Sequence, residues 1–364
     1  MGKIKENETM SKNNILLIGY DSNICLGVCY CLSKVQNVNL YLLTNNSKHA
    51  GKFSRYIKKV INYSSLNLDI IRNSVVQFNI NVVFPYDEEE GVFVSENKNS
   101  IETKTTKCIL LTEPEKYRLG INKLKLAELL YSNNISVPEF VQNKQLDELS
   151  TILNEWNDAF IMKPSRSSFG RGILKFQNYS DFEIFVAKNK PDYTNFIFQR
   201  YIEGSDLTVN VIAKNGEILD FTVQETPNKS DITFVSGDEF EFKSDEQAFE
   251  LVKKAIQLLN WNGIACFDLR RNKETDKIYI LEINGRFWAS LVAAFEKGGI
   301  NFPRIALQLA LGEEVTQQDK KFDKQISGTT YLKNLVPYKK YSFSQTKYMP
   351  YLYDPFARAF QFIN

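Results

Sequence analysis

Three separated stretches of this 364-residue chain carry side chains whose types and spacing suit phosphate chemistry. In the first, residues 163–172, an apolar run ends at Lys163 and opens into Pro164, Ser165, Arg166, Ser167, Ser168, Phe169, Gly170, Arg171 and Gly172. Small residues such as Ser165, Ser168, Gly170 and Gly172 let main-chain N–H groups approach a polyphosphate, and Lys163 adds a fixed cation. A solvent hairpin with incidental Lys and Arg is the competing reading. The second stretch runs Gln199, Arg200, Tyr201, Ile202, Glu203, Gly204, Ser205, Asp206. An extended backbone offers one C=O and one N–H to the edge of a purine, and Asp206 follows where a carboxylate can take both ribose hydroxyls. Many strand ends look similar. The third stretch holds Asp268 and then Glu282, Asn284 and Arg286. Period-two alternation puts the last three on one face of an extended segment, and a hairpin would add Asp268 to that face. Two carboxylates and an amide oxygen beside a guanidinium form a hard oxygen site for Mg²⁺. A surface hairpin with scattered charge is the alternative, although Leu281, Ile283 and Trp288 set these acids in an apolar surround that calls for a compensating cation.

The elements that must position these groups follow from hydrophobic pattern. Residues 15–46 read as a β-α-β unit, and further strands at 59–62, 82–85 and 108–111 complete an open parallel sheet. The spacing of Gly19 and Gly27 lacks the three glycines of a dinucleotide fingerprint. Residues 122–132 form a helix with Leu124, Ala127, Leu129 and Leu130 inward, followed by a strand at 137–141 and a helix at 146–156. Strands at 159–163 and 173–176 flank the small-residue loop, which separates it from a strand-to-helix phosphate loop. A helix at 179–188 and a strand at 196–199 come next. Alternating strands at 207–213 and 218–224 are joined by the turn Lys214, Asn215, Gly216, Glu217, a hairpin signal. Then follow a helix at 245–259, strands at 263–270 and 278–283, and helices at 290–296 and 302–311. No internal repeat is visible.

Composition narrows the classes. Forty-five Lys and Arg against 43 Asp and Glu leave a net charge of +2, too little to attract nucleic acid or anionic lipid through the overall field. No apolar stretch reaches the ~20 residues of a membrane span, and residues 1–14 lack the apolar centre of a secretory signal, so the cytoplasm is the expected compartment. Cys25, Cys29, Cys31, Cys108 and Cys266 have no second ligand cluster for zinc and fit a reduced core. His49 is the sole histidine, which sets aside histidine-based acid–base chemistry. Residues 315–364 contain six tyrosines and five phenylalanines, to be covered by a partner or membrane or wrapped back over the core; wrapping is favoured because no basic amphipathic helix accompanies them.

In order and spacing, residues 122–312 resemble the ATP-grasp superfamily, which includes D-alanine:D-alanine ligase, biotin carboxylase and the synthetase part of carbamoyl-phosphate synthase. Lys123, within Asn122-Lys123-Leu124-Lys125-Leu126-Ala127, is similar to the family's first nucleotide lysine, and Lys163 to its second. Gln199, Arg200, Tyr201 and Ile202 resemble the adenine hinge, and Asp206 the ribose acid. Asp268, Glu282 and Asn284 resemble the metal triad, with Glu282 between two ions, and Arg286 the arginine that holds phosphate or the acyl intermediate. Phe53-Ser54-Arg55-Tyr56, Trp261-Asn262-Gly263, the run from Glu282 to Leu291 and Asn301-Phe302-Pro303 are similar to bacterial carboxylate-amine ligase-like members. The chain departs from the pattern at Asp206, where Glu is usual, at Gly285, where proline is common, and at Gln199, where many relatives carry Glu.

The resemblance implies a mixed α/β and α+β fold. Residues 1–112 would form an N-terminal parallel-sheet domain, 113–198 a small lid lobe, and 199–315 a larger antiparallel lobe with the metal site. Residues 316–364 would be an aromatic segment packed on the core. It further implies ATP between the lobes with two Mg²⁺ ions, or Mn²⁺ in their place, and small-molecule carboxylate and amine substrates. Ligation would run through an acyl phosphate, with Arg286 and Lys163 as catalytic cations. The acceptor pocket would lie between the N-terminal sheet, residues 225–237 and Arg286. The rival readings are a kinase-like phosphotransferase and a nucleotide-binding module without turnover. Homodimers are common among similar proteins.

Overall fold

The computed structural model describes residues 12–141, 146–156, 158–167, 170–189, 195–226, 239–333, 341–348 and 352–363. Five parallel strands, β1 (Asn13–Ile18), β2 (Val38–Thr44), β3 (Ile57–Asn62), β4 (Val82–Pro85) and β5 (Lys107–Cys108), form a sheet in the order β3-β2-β1-β4-β5. The apolar runs Ile15 to Ile18 and Val82 to Pro85 are buried, as a sheet covered on both faces requires. Order reverses between β1 and β4, so a crevice opens beyond their carboxyl ends. β5 is shorter than predicted: Ile109 N–H still bonds Val83 C=O at 3.0 Å, but no further ladder follows.

Helix α1 (Ser22–Leu32) is capped by Asp21, which accepts from Ile24 N–H, and is buried along nearly its whole length. All five cysteines are buried and free. Helices α2 (Leu68–Phe78), α3 (Glu88–Ile101) and α4 (Pro114–Gly120) were not predicted. The polar sequence of α3 hides its one inward stripe, Glu90, Gly91, Val94 and Ile101. Helix α5 (Lys123–Ser132), capped by Asn122, buries Lys123, Leu126, Ala127 and Leu130. Leu124 and Leu129, expected inward, are only half-buried, because the i, i+3, i+4, i+7 stripe runs through Lys123.

A four-stranded antiparallel sheet follows: β6 (Phe140–Val141), β7 (Phe160–Pro164), β8 (Leu174–Phe176) and β9 (Phe196–Arg200), ordered β6-β9-β7-β8. With α6 (Leu146–Trp156) and α7 (Tyr179–Asn189) it encloses a separate core of Leu149, Leu153, Phe160, Met162, Phe182 and Phe198. Only residues 140–141 of the stretch predicted from 137 pair as a strand.

The third sheet, ordered β14-β13-β10-β11-β12-β15, contains β10 (Gly204–Lys214), β11 (Glu217–Thr226), β12 (Phe240–Lys243), β13 (Gly263–Asn272), β14 (Ile278–Asn284) and β15 (Lys324–Gln325). Asn215 (φ 53°) and Gly216 (φ 76°) supply the left-handed pair that the tight β10–β11 turn demands. One face packs on α8 (Glu246–Leu259) together with α5; the other shares a core with α1, α9 (Leu291–Glu296) and α10 (Phe302–Leu311). That shared core reaches Ile15 and Leu17 of β1, joining the first and third sheets, whereas the four-stranded sheet keeps its own. After α11 (Gly328–Lys333), α12 (Pro355–Ile363) returns to the first unit. There Ser54 donates to Asp354 at 2.5 Å, and Tyr56 donates to Tyr353 C=O at 3.2 Å. Phe53 lies against Phe360, so the Phe53-Ser54-Arg55-Tyr56 motif is the seat of the C-terminal helix. Among the described residues no helix is long and apolar enough to cross a membrane.

Buried Glu90 accepts from Tyr63 O–H at 3.1 Å. Burial, and next the neighbouring Asp87, push its pKa from an ordinary 4.5 to about 6. The folded state therefore holds this proton more tightly than the unfolded state; the stabilising contribution is complete below the ordinary value and is lost as pH rises through the folded one. Glu90→Gln is expected to be more stable than wild type by up to about 2 kcal/mol at ~pH 7.5, with the gap closing near ~pH 4. Thermal melts at both pH values check this, and identical melting at the higher pH would show that the carboxylate is not strained by burial.

Candidate nucleotide and metal site

β13 and β14 pair antiparallel with Asp268 opposite Glu282 and Cys266 opposite Asn284. The three predicted metal groups do converge. Asn284 Nδ2 lies 3.2 Å from Asp268 Oδ2 and 3.4 Å from Glu282 Oε1, and Thr208 O–H of β10 is 3.4 Å from Asp268 Oδ1. Two buried lysines face them. Lys123 Nζ, at the start of α5, stands 3.0 Å from Glu282 Oε2, and Lys163 Nζ, near the end of β7, donates to Leu281 C=O at 3.3 Å. Burial, joined by Lys123, depresses the Lys163 pKa from 10.5 to about 8, while Glu282 and Asp268 oppose the shift. Burial and the adjacent Glu282 push Asp268 well up. Burial works against ionised Glu282 as well, but Lys123 and Lys163 outweigh it and hold Glu282 below its ordinary range. The pair thus divides its roles: Glu282 carries the charge and Asp268 keeps the proton more readily.

Mg²⁺ or Mn²⁺ suits this donor set, since every group is a hard oxygen ligand once the Asn284 amide turns its Oδ1 inward. Among the described residues no cluster of three or more His, Cys, Asp or Glu competes as a metal site.

β7 sets one face of its sheet towards these groups. Ile161 pairs with Gln199 and Lys163 with Ile197, so all four share the face opposite the Phe160, Met162 and Phe198 core. Gln199 is 1% exposed, and its Oε1 is a buried acceptor with no hydrogen-bond partner among the described residues. Arg200 points elsewhere, to Glu139 at 3.2 Å and to Trp156 C=O at 3.1 Å. Tyr201 and Ile202 are tied by Arg270, which donates to Tyr201 Oη at 2.9 Å and to Ile202 C=O at 2.9 Å. Arg270 also pairs with half-exposed Asp206 at 2.5 Å, so the expected ribose acid stands in a hinge organised by a residue that sequence reasoning passed over. The available signal was period two, which puts Arg270 on the face of Asp268.

The small-residue loop is anchored at its start. Ser165 N–H donates to Asn195 C=O at 2.7 Å, and its own C=O accepts from Lys123 N–H at 2.9 Å, so the main chain of Ser165 is already engaged. Lys123 Nζ donates to Ser167 C=O at 2.6 Å, linking loop and acid pair. Gly170 (φ 68°) and Gly172 (φ 76°) occupy the left-handed region. Ser168 and residues 227–238, most of the predicted acceptor loop, lie outside the described residues. Arg286, just past β14, donates to Phe287 C=O at 2.8 Å and lies near Asp87 and Glu88, whose pKa values burial raises and its charge lowers. Neither acid was foreseen; both lie in the turn from β4 into α3, far from any nucleotide pattern.

Residues 121–290 match a family model described as ATP-grasp domain. The fold is the ATP-grasp fold. A D-alanine–D-alanine ligase of Petrotoga mobilis is 25% identical over 170 residues, 43% of this chain and 54% of that protein. The chain therefore spans about half the length of such curated relatives. Among solved structures, the L-amino acid ligase of Bacillus licheniformis superposes with a TM-score of 0.63 at 16% identity, covering 86% of this chain and 76% of that one. N5-carboxyaminoimidazole synthetase of Staphylococcus aureus, complexed with ADP, gives 0.66 at 15% identity over 85% of this chain and 80% of that one. These structural likenesses extend beyond the matched domain to the N-terminal sheet.

Lys163→Met removes the buried cation while keeping the stem. Affinity for Mg-ATP, measured by calorimetry, is expected to fall about ten- to hundredfold, the worth of a charged hydrogen bond. Unchanged affinity would exclude Lys163 from nucleotide binding.

Proposed function

We propose that this ATP-grasp protein is an ATP-dependent ligase that joins a carboxylate to an amine through an acyl phosphate, releasing ADP and phosphate. The observation that carries the reading is the meeting of Asp268, Glu282 and Asn284 with two buried lysines, one of them on the separate four-stranded lobe. A site in which ionised Glu282 already faces two buried lysines is prepared for a triphosphate with its metal. Asp268, Glu282 and Asn284 would hold Mg²⁺, or Mn²⁺ in its place, and the metal would neutralise phosphate charge.

On this reading ATP lies between the four-stranded lobe and the third sheet. Gln199 and the main chain at 200–202 face the base, and Asp206, held by Arg270, faces the ribose. Lys123, Lys163 and the main chain around Gly170 to Gly172 face the phosphates. The carboxylate enters the crevice between β1 and β4, where Arg286 stands. A carboxylate oxygen attacks the γ-phosphorus and ADP leaves; the amine nitrogen then attacks the acyl carbon, phosphate leaves with the bridging oxygen, and the amine gives up a proton. Arg286 steadies the oxyanion of the second step. The separate core of the four-stranded lobe allows it to move as a unit and exclude water.

Screening pairs of small carboxylates and amines for ADP release tests the proposal. Turnover is expected only when both are present. ADP with a stable phosphorylated acceptor would make the protein a kinase, and thermal stabilisation by Mg-ATP without turnover would make it a binding module. Glu282→Gln is expected to lower turnover at least ~100-fold, since metal neutralisation of the transferring phosphate is lost, and to lower the melting temperature as well, since Lys123 and Lys163 lose their ionised partner; an active variant would remove the metal assignment.

A further inference from the structure

The turn that leaves the metal strand is gripped from two other parts of the chain. Gly285 follows Asn284 directly; its N–H donates to Glu88 Oε1 at 3.3 Å, and its C=O accepts from Tyr117 O–H. Tyr117 is itself held in place, tilted against fully buried Trp261 with ring centroids 5.7 Å apart, while Trp261 Nε1 donates to Ile264 C=O of β13 at 3.1 Å. A Cβ at position 285 would come within 2.7 Å of the Tyr117 ring and 3.2 Å of Trp261, so a larger residue would have to displace the buried Tyr117 ring. On the other side, Glu88 opens α3 where β4 leaves its sheet, and adjacent Asp87 accepts from Tyr20 and Asp21 N–H, each at 2.7 Å. A continuous line of contacts runs from the crevice loops through Asp87 and Glu88 to Gly285, with Asn284 before it and Arg286 after it.

We propose that Glu88 is a positioning residue: by accepting the Gly285 N–H it fixes the turn that sets Asn284 towards the metal and Arg286 towards the acceptor. This rests on the ligase reading above. It also gives glycine at 285 a role that proline could not fill, because proline has no N–H to donate. The requirement is for an acceptor oxygen at this point, so glutamine should serve and alanine should not.

The full chain is compared with Glu88→Ala and Glu88→Gln by amide hydrogen exchange of Gly285, by steady-state kinetics and by Mn²⁺ binding. Glu88→Ala is expected to lose exchange protection at Gly285 and to lower kcat/KM for the carboxylate about ten- to hundredfold, as loss of an outer-shell partner does. The KM for ATP should change less than kcat/KM for the carboxylate, because the hydrogen bond that is lost involves neither lysine nor the hinge and Glu88 acts on Lys123 only through its charge. Glu88→Gln should keep both protection and kcat/KM. Wild-type kinetics in Glu88→Ala would overturn the proposal, as would a Glu88→Gln variant that keeps Gly285 protected yet is equally impaired. Should wild type show no carboxylate-dependent turnover, the ligase reading fails by itself. Mn²⁺ affinity then decides the positioning role: about tenfold weakening in Glu88→Ala but not in Glu88→Gln sustains it, and equal affinity ends it.

Discussion

Two carboxyl groups stand side by side in an apolar surround only where one keeps its proton or cations share the space; here Asp268 tends to the first and the cations come from elsewhere in the fold. Asp268 and Glu282 sit opposite each other on adjacent strands, and Lys123 and Lys163 bring the compensating charge. Removing either side leaves an uncompensated buried charge, which is among the costliest local defects a protein can carry. On the proposed reading, a metal triphosphate would bring both signs of charge to this site and exchange one balance for another.

That constraint shapes the architecture around it. The first and third sheets share an apolar core through α1, α9 and α10, so the acid pair and the crevice loops belong to one packed body. The four-stranded sheet has its own core and carries Lys163 and Gln199. Lys123 bridges the two: its helix packs on the third sheet, while its N–H and Nζ bond the main chain of Ser165 and Ser167 in the loop. Contacts between the two are therefore few, polar and at a boundary, where relative motion costs least apolar burial.

The second boundary, between the crevice and β14, is tighter. Glu88 holds the N–H and Tyr117 the C=O of Gly285, and Arg286 emerges between acids of the first unit and the end of β14. Arg270 plays a comparable part at the hinge, tying Tyr201, Ile202 and Asp206 through one guanidinium. Arginine suits this work because its planar fork reaches several acceptors without losing charge.

The sequence alone determined what depends on neighbours along the chain. Period two brought Glu282 and Asn284 to one face and made a hairpin with Asp268 the natural partner; apolar runs marked β1 and β4, and Asn215-Gly216 marked a tight turn. Polar helices such as α3 escaped because a narrow inward stripe in a charged background leaves almost no periodic signal. Tertiary structure decided which distant groups meet. Lys123 reached Glu282 only because the inward stripe of α5 runs through it, and Glu88 reached Gly285 across 197 residues. Hydrogen bonds of that separation arise from packed sheets and helices, and no local pattern of residues encodes them.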